Sequence, residues 1–91
     1  MNIEFTEIGW DDLNFWIEND ISLVKKIKEL VASIKQTPTK GVGKPEPLKH
    51  EFKGCWSRRI NREHRLVYQI LGKRGVDQKC IILQCRYHYA K

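Results

Sequence analysis

Ninety-one residues, 41% hydrophobic and 31% charged, suffice for one domain around one core; they exclude two independently folding domains and the apolar-poor composition of a disordered chain. A formal charge of +6 and a pI near 9.4 favour a polyanionic partner, whether nucleic acid, an acidic protein or an anionic surface, without choosing among them. No run of eighteen apolar residues and no basic-then-apolar leader is present, so no membrane span is expected and the cytoplasm is the default location.

The first residues, NIEFTE, alternate apolar Ile3 and Phe5 with polar Glu4 and Thr6, which predicts a short strand with one buried face. A helix is predicted over GWDDLNFWIEND, where Trp10, Leu13 and Ile17 fall at i, i+3 and i+7 and Asp11 and Asp12 suit a helix N-terminus. A second helix follows in DISLVKKIKELVASIKQTP. Its stripe is Leu23, Val24, Ile27, Leu30, Val31 and Ile34; Asp20 or Ser22 can cap its start, and Thr37-Pro38 ends it. Two amphipathic helices in a row make a hairpin that needs an apolar surface to cover.

That surface must come from the C-terminal half. After the loop QTPTKGVGKPEP, strand patterns lie near 49–53, 56–62, 65–71 and 79–87, and GKRGVDQK reads as a hairpin connection. The predicted plan is therefore α+β, a single domain over 1–91, with an N-terminal strand and a two-helix hairpin packed on one face of a small, mainly antiparallel twisted sheet. Cys55, Cys80 and Cys85 are odd in number and lack a CxxC spacing, so all three are expected to be reduced packing residues. Cys80 and Cys85, five apart, would sit on opposite faces of one strand.

Alternation also sorts the polar residues. Ile81, Leu83, Cys85 and Tyr87 make the better core set of the last strand, leaving Ile82, Gln84, Arg86 and His88 opposite. Leu66, Tyr68 and Ile70 oppose Arg65, Val67 and Gln69, and Trp56 and Ile60 oppose Ser57, Arg59 and Asn61. If the apolar sets face the helices, Arg59, Arg65, Arg86 and His88 converge on one uncovered sheet face, provided no bulge breaks the parity. Such a face offers guanidinium groups for phosphate oxygens beside an imidazole that can act as an acid. Glu46 and Lys49, on the loop leading into this sheet, can reach its rim.

RNA cleavage by internal transfer needs a base for the 2′-OH, cations for the crowded phosphorane and an acid for the leaving 5′-oxygen. Glu46 is the candidate base, Arg65 and Arg59 the stabilisers and His88 the acid, with Tyr89 or Lys49 orienting the phosphate. Plainer roles stand beside these. Glu46 can be a local counter-ion in a basic loop, His88 a solvated terminal group, and the strand arginines partners of Glu51 or Glu63. Trp10, Trp16 and Trp56 suit core anchoring better than base stacking, and His50 and His64 have no spaced metal-ligand partners, which favours a solvated or RNA-facing role for both. A glutamate among arginines is a weak proton acceptor in water, so the enzymatic reading requires bound RNA to desolvate it.

The run GKPEPLKHEFKGCWSRRINREHRLVY, followed by CRYHY, strongly resembles the YoeB/Txe-type toxins of bacterial type II toxin–antitoxin systems, within the RelE superfamily. The similarity extends to WDDLNFW and VKKIKEL and so spans nearly the whole chain. The resemblance implies a RelE-like α+β fold and ribosome-dependent cleavage of mRNA in the A site, which inhibits translation. By position within these motifs Glu46 matches the general base, His88 the general acid and Arg65 the transition-state stabiliser. Lys49, Arg59 and Tyr89 match supporting residues, and Lys44 and Arg86 would add RNA contacts. The partners implied are a YefM-like antitoxin, the ribosome and mRNA, with no membrane and with a homodimer allowed; no metal or organic cofactor is expected. Cys55 stands where the family usually has an aromatic residue, and Ala90 and Lys91 extend past its usual terminal tyrosine. Two alternatives remain open at the level of sequence: a non-catalytic basic module that inhibits by occupancy, and a gyrase-poisoning relative of similar fold, which has no use for the Glu–Arg–His set.

Overall fold

The computed structural model describes residues 1–87. Along the chain run β1 (Asn2–Phe5), α1 (Glu7–Asn19), α2 (Ile21–Gln36), β2 (Glu46–Pro47), a 3₁₀ turn (His50–Phe52), β3 (Trp56–Arg59), β4 (Arg65–Leu71) and β5 (Lys79–Gln84). The five strands form one sheet in the order β1-β5-β4-β3-β2; β1 lies parallel to β5 and the other pairings are antiparallel. This is the α+β architecture expected from the sequence.

Helix α2 follows its pattern closely. Ile27, Leu30 and Ile34 are buried, with Leu23, Val24 and Val31 packed at the margin. The Asp20 carboxylate accepts the Ser22 backbone N–H at 3.1 Å, which caps the start, and the helix stops at Gln36 before Thr37-Pro38. Helix α1 differs from expectation. It begins at Glu7, capped by Thr6, whose Oγ1 accepts the Gly9 N–H at 3.0 Å, and the residues it buries are Gly9 and Trp16. Trp10 is 54% exposed and Ile17 48%, so the expected stripe is rotated by about one residue. The cause is Gly9: a Cβ there would lie 2.5 Å from the Ile82 carbonyl oxygen, so only glycine lets α1 settle this closely on β5.

The main core joins Trp16, Ile27, Leu30 and Ile34 from the helices to Ile60, Leu66, Tyr68, Cys80, Ile82 and Cys85 from the sheet and its ends. The parity expected for β5 is corrected here. Val67 pairs with Gln84 but Tyr68 pairs with Ile82, one step on β4 against two on β5, so Leu83 is an extra residue. Cys80 and Ile82 therefore face the helices before the bulge, and Cys85 faces them after it. Both cysteines enter one core rather than opposite faces, and Ile81 and Leu83 leave the set assigned to them.

The opposite face is not bare. Leu48, Cys55 and Val67 form a second small core, with Phe52 and Leu83 against it. The segment 49–53, expected as a strand, supplies that cover: His50 takes a positive φ of 57°, and the 3₁₀ turn closes with the Lys53 N–H on the His50 carbonyl at 3.1 Å. The paired strand is the short Glu46–Pro47 before it, not 49–53.

Candidate active site

Sheet register fixes which proposed residues share a face. Glu46 lies opposite Ser57 and Ser57 opposite Val67, while Arg59 lies opposite Arg65 two residues along the same strands. Opposed residues in an antiparallel pair point the same way, so Glu46, Arg59 and Arg65 occupy the face away from the helices. Glu46 and Arg59 are exposed, and Lys49, also exposed, precedes the 3₁₀ turn beside them.

The Glu46 strand is short, and its position depends on the loop before it. The Gly43 carbonyl accepts the Arg59 N–H at 2.7 Å, which ties that loop to β3. Gly43 has φ +87°, and a Cβ there would meet Leu30 Cδ2 at 2.7 Å and Arg58 Cβ at 3.1 Å, so the close approach requires glycine. Lys44 follows with φ +52°, a left-handed conformation that costs a non-glycine residue about 1–2 kcal/mol and that the surrounding bonds must impose.

Those bonds come largely from Arg58, a fully buried residue whose role no sequence pattern announces. Its Nε donates to the Tyr68 hydroxyl at 3.0 Å. Nη1 donates to Ser33 Oγ at 2.7 Å and the Val42 carbonyl at 3.0 Å; Nη2 donates to the carbonyls of Thr37 at 2.8 Å and Lys40 at 2.9 Å. All five donors are satisfied, and no ion pair to a carboxylate forms among the described residues. The Tyr68 hydroxyl donates on to the Pro38 carbonyl at 2.7 Å, and burial raises its pKa against the opposing influence of Arg58. The 37–43 loop is thus bonded to the sheet from beneath.

Arg65 is 9% exposed, and its Nη1 donates to three carbonyls, of Asn61 at 2.9 Å, His64 at 3.1 Å and Arg62 at 3.2 Å. Its Nε and Nη2 make no hydrogen bond among the described residues, so one edge of a firmly held guanidinium remains for an anion. The turn that holds it is built by Asn61, whose Oδ1 accepts the N–H groups of Glu63 at 2.9 Å and His64 at 2.7 Å.

His64, expected to be solvated or RNA-facing, is buried at 8% exposure. Its ring meets Trp16 edge-on at 4.7 Å, and its Nδ1 accepts the Tyr87 N–H at 2.7 Å. Further bonds fix the end of the last strand: the Arg65 N–H donates to the Tyr87 carbonyl at 3.1 Å, Trp16 Nε1–H to the Cys85 carbonyl at 2.8 Å, and the Cys85 N–H to Asp12 Oδ2 at 3.0 Å. Desolvation raises the pKa of Asp12, partly offset by that bond and by Arg86. Asp12 therefore serves the strand end and not the helix N-terminus.

Arg86 does not join Arg59 and Arg65. Its guanidinium carbon lies 3.4 Å from the Phe15 ring centroid and 4.5 Å from that of Tyr87, which turns it toward α1. His88 and Tyr89, with Ala90 and Lys91, fall outside the described residues. Among the described residues no group of three His, Cys, Asp or Glu side chains could hold a metal ion.

Comparison with known proteins agrees with this architecture. Residues 5–89 match the family model described as the YoeB-like toxin of bacterial type II toxin-antitoxin systems. Toxin YoeB of Escherichia coli K12 is 49% identical over 89 residues, covering 98% of this chain and 100% of that one. Among solved structures, a YoeB/ParE toxin from Agrobacterium tumefaciens superposes with a TM-score of 0.94 at 47% identity, over 98% of this chain and all of that one. The toxin in a heterotetrameric YoeB-YefM toxin-antitoxin complex from Staphylococcus aureus gives 0.85 at 42% identity, over 98% of each chain. The chain belongs to the YoeB-like toxin family of bacterial type II toxin–antitoxin systems.

Proposed function

We propose that this protein is a ribosome-dependent endoribonuclease that cleaves mRNA in the A site and so arrests translation. Glu46 removes the 2′-OH proton, Arg65 stabilises the phosphorane and His88 protonates the leaving 5′-oxygen. Lys44, Lys49, Arg59 and Tyr89 hold the RNA; Arg86, stacked on Phe15, is left out of this set. The observation that carries this reading is the common face of Glu46, Arg59 and Arg65, with the Nε and Nη2 edge of Arg65 unbonded among the described residues. A base and a rigid cation on one face are what in-line attack on a phosphodiester requires.

Net charge supports the antitoxin assignment. A chain at +6 is complementary to an acidic segment that orders as it covers the basic face, and the relative from Staphylococcus aureus is crystallised with YefM. The partner proposed here is accordingly a YefM-like antitoxin that masks the face bearing Glu46 and Arg65.

Purified protein added to a translating extract should create new mRNA 5′ ends inside open reading frames. Glu46→Gln and His88→Gln should each lower the cleavage rate by about 10²–10⁴-fold, the usual scale for losing a general base or acid. New ends that persist unchanged in both variants would refute the assignment, as would inhibition without any cleavage.

A further inference from the structure

Beyond the face bearing Glu46 and Arg65 lies a pocket of about 370 Å³, lined by Lys26, Gly43, Lys44, Arg59, Ile60, Asn61 and Arg62. Four of those side chains are cationic and none is a carboxylate. They come from three places in the chain: Lys26 from α2, Lys44 from the loop before β2, and Arg59 and Arg62 from the end of β3 and the turn after it. The pocket turns the corner from the sheet face to the helix layer, and Arg59 belongs to both.

Several features make this more than scattered surface charge. Lys44, Arg59 and Arg62 form no ion pair among the described residues, while Lys26 meets only an exposed Glu29 on its own helix at 3.8 Å. The wall is rigid, because the Gly43 carbonyl is bonded to the Arg59 N–H and the turn carrying Arg62 is held by Asn61 and by Arg65. Four cations packed together repel one another, and the surface offers no carboxylate in the lining to relieve this. A bound polyanion would relieve it.

We propose that this pocket is a second phosphate subsite, which binds a nucleic-acid phosphate beyond the scissile one and carries the backbone from the sheet face around to α2. Lys26 and Arg62, neither of which has a role in the chemistry above, are its added contacts. The assignment rests on the ribonuclease reading for its biological ligand but not for the binding itself. The phosphate can belong to mRNA or to ribosomal RNA, and the two sources are separable by experiment.

Binding is measured in a Glu46→Gln background, so that no cleavage intervenes, against a short single-stranded RNA and, separately, against vacant ribosomes across a range of salt. Adding K26Q and R62Q should weaken binding and reduce the magnitude of the log–log salt slope by about 0.7 for single-stranded RNA, the contribution of one lost phosphate contact. A loss confined to the oligonucleotide arm assigns the phosphate to mRNA, and one confined to the ribosome arm assigns it to ribosomal RNA; either supports the subsite. The double variant K73Q/R74Q removes the same charge from the β4–β5 loop and serves as control. Unchanged binding in both arms overturns the proposal, and so does an equal loss in the control, which would make the effect one of net charge. Neither result depends on whether Glu46 is a catalytic base, which the cleavage assay decides.

Discussion

Replacing Arg58 by methionine keeps much of the side chain's apolar bulk and deletes five N–H donors, so it separates the polar network from the packing around it. Hydrogen bonds to a charged group contribute about 1.5–3 kcal/mol each, and five of them summed would equal the whole stability of a small domain. That sum overstates the loss. Thr37, Lys40 and Val42 lie at the surface, and their carbonyls can bond water once the loop lifts. The Tyr68 hydroxyl keeps its bond to Pro38. What cannot be recovered is the pair of contacts to Ser33 Oγ and the buried Tyr68, offset by relief of the desolvation that a buried charge suffers. The expected net loss is about 2–4 kcal/mol.

Urea unfolding should show that loss as a lower midpoint with an unchanged slope. Hydrogen exchange should quicken first at the amides of Val42 and Arg59, the two that bond Ser33 Oγ and Gly43 across this loop. Arg58→Lys sharpens the test. It keeps the buried charge but has three donors for five acceptors, so it should be no more stable than Arg58→Met despite being the nearer relative. If Arg58→Met lies within about 0.5 kcal/mol of wild type, or above it, the five bonds do not outweigh the desolvation and the account is wrong.

Asp12 has a raised folded pKa, so the native state holds this proton more tightly than the unfolded chain does. Asp12 therefore contributes a loss of stability as pH rises from the usual carboxylate value through the raised one; Asp12→Asn should remove that slope, which paired unfolding curves across acidic pH will detect. Burial pushes the thiols of Cys80 and Cys85 up to about 12 and also raises that of Cys55. Native protein at mildly alkaline pH should therefore resist a thiolate-selective reagent that labels all three in denaturant, as read by intact mass. Gly43→Ala should cost about 2–3 kcal/mol in the same urea assay, from its positive φ and the contacts with Leu30 and Arg58, and should slow cleavage by displacing the loop before Glu46.

Much of this fold was legible because periodicity survives burial. The α2 stripe is apolar on one face and lysine-rich elsewhere, and every residue of that stripe lies in or against the core. The α1 stripe misleads because one of its two buried residues is Gly9, which carries no hydrophobic weight although it sets the helix–sheet distance. The β5 parity failed at Leu83, since a bulge is a property of two strands and cannot be read from one. Arg58 illustrates a different limit. Alternation with Trp56 and Ile60 is compatible with the helix face, but arginine is so seldom buried that position alone carries little weight; its acceptors lie on α2, in the following loop and on β4, ten to twenty-five residues away in sequence. His64 was hidden likewise, since its partner, the Tyr87 N–H, is twenty-three residues on.

Arg58 and Arg59 are neighbours, and strand alternation sends them to opposite faces, one into the fold and one toward the proposed RNA. The buried member has its donors satisfied without an acid. Its guanidinium sits at the C-terminal end of α2, the negative end of the helix dipole, and bonds the carbonyls of Thr37 at the cap and of Lys40 and Val42 in the following loop. Arg65 is treated the same way, by three turn carbonyls. Carbonyl dipoles can satisfy a guanidinium's donors without cancelling its charge, whereas a carboxylate would do both. The two arginines can therefore be held rigidly while the protein keeps the positive potential that draws in a polyanion, so the means of stabilising the loop and the means of attracting RNA do not compete.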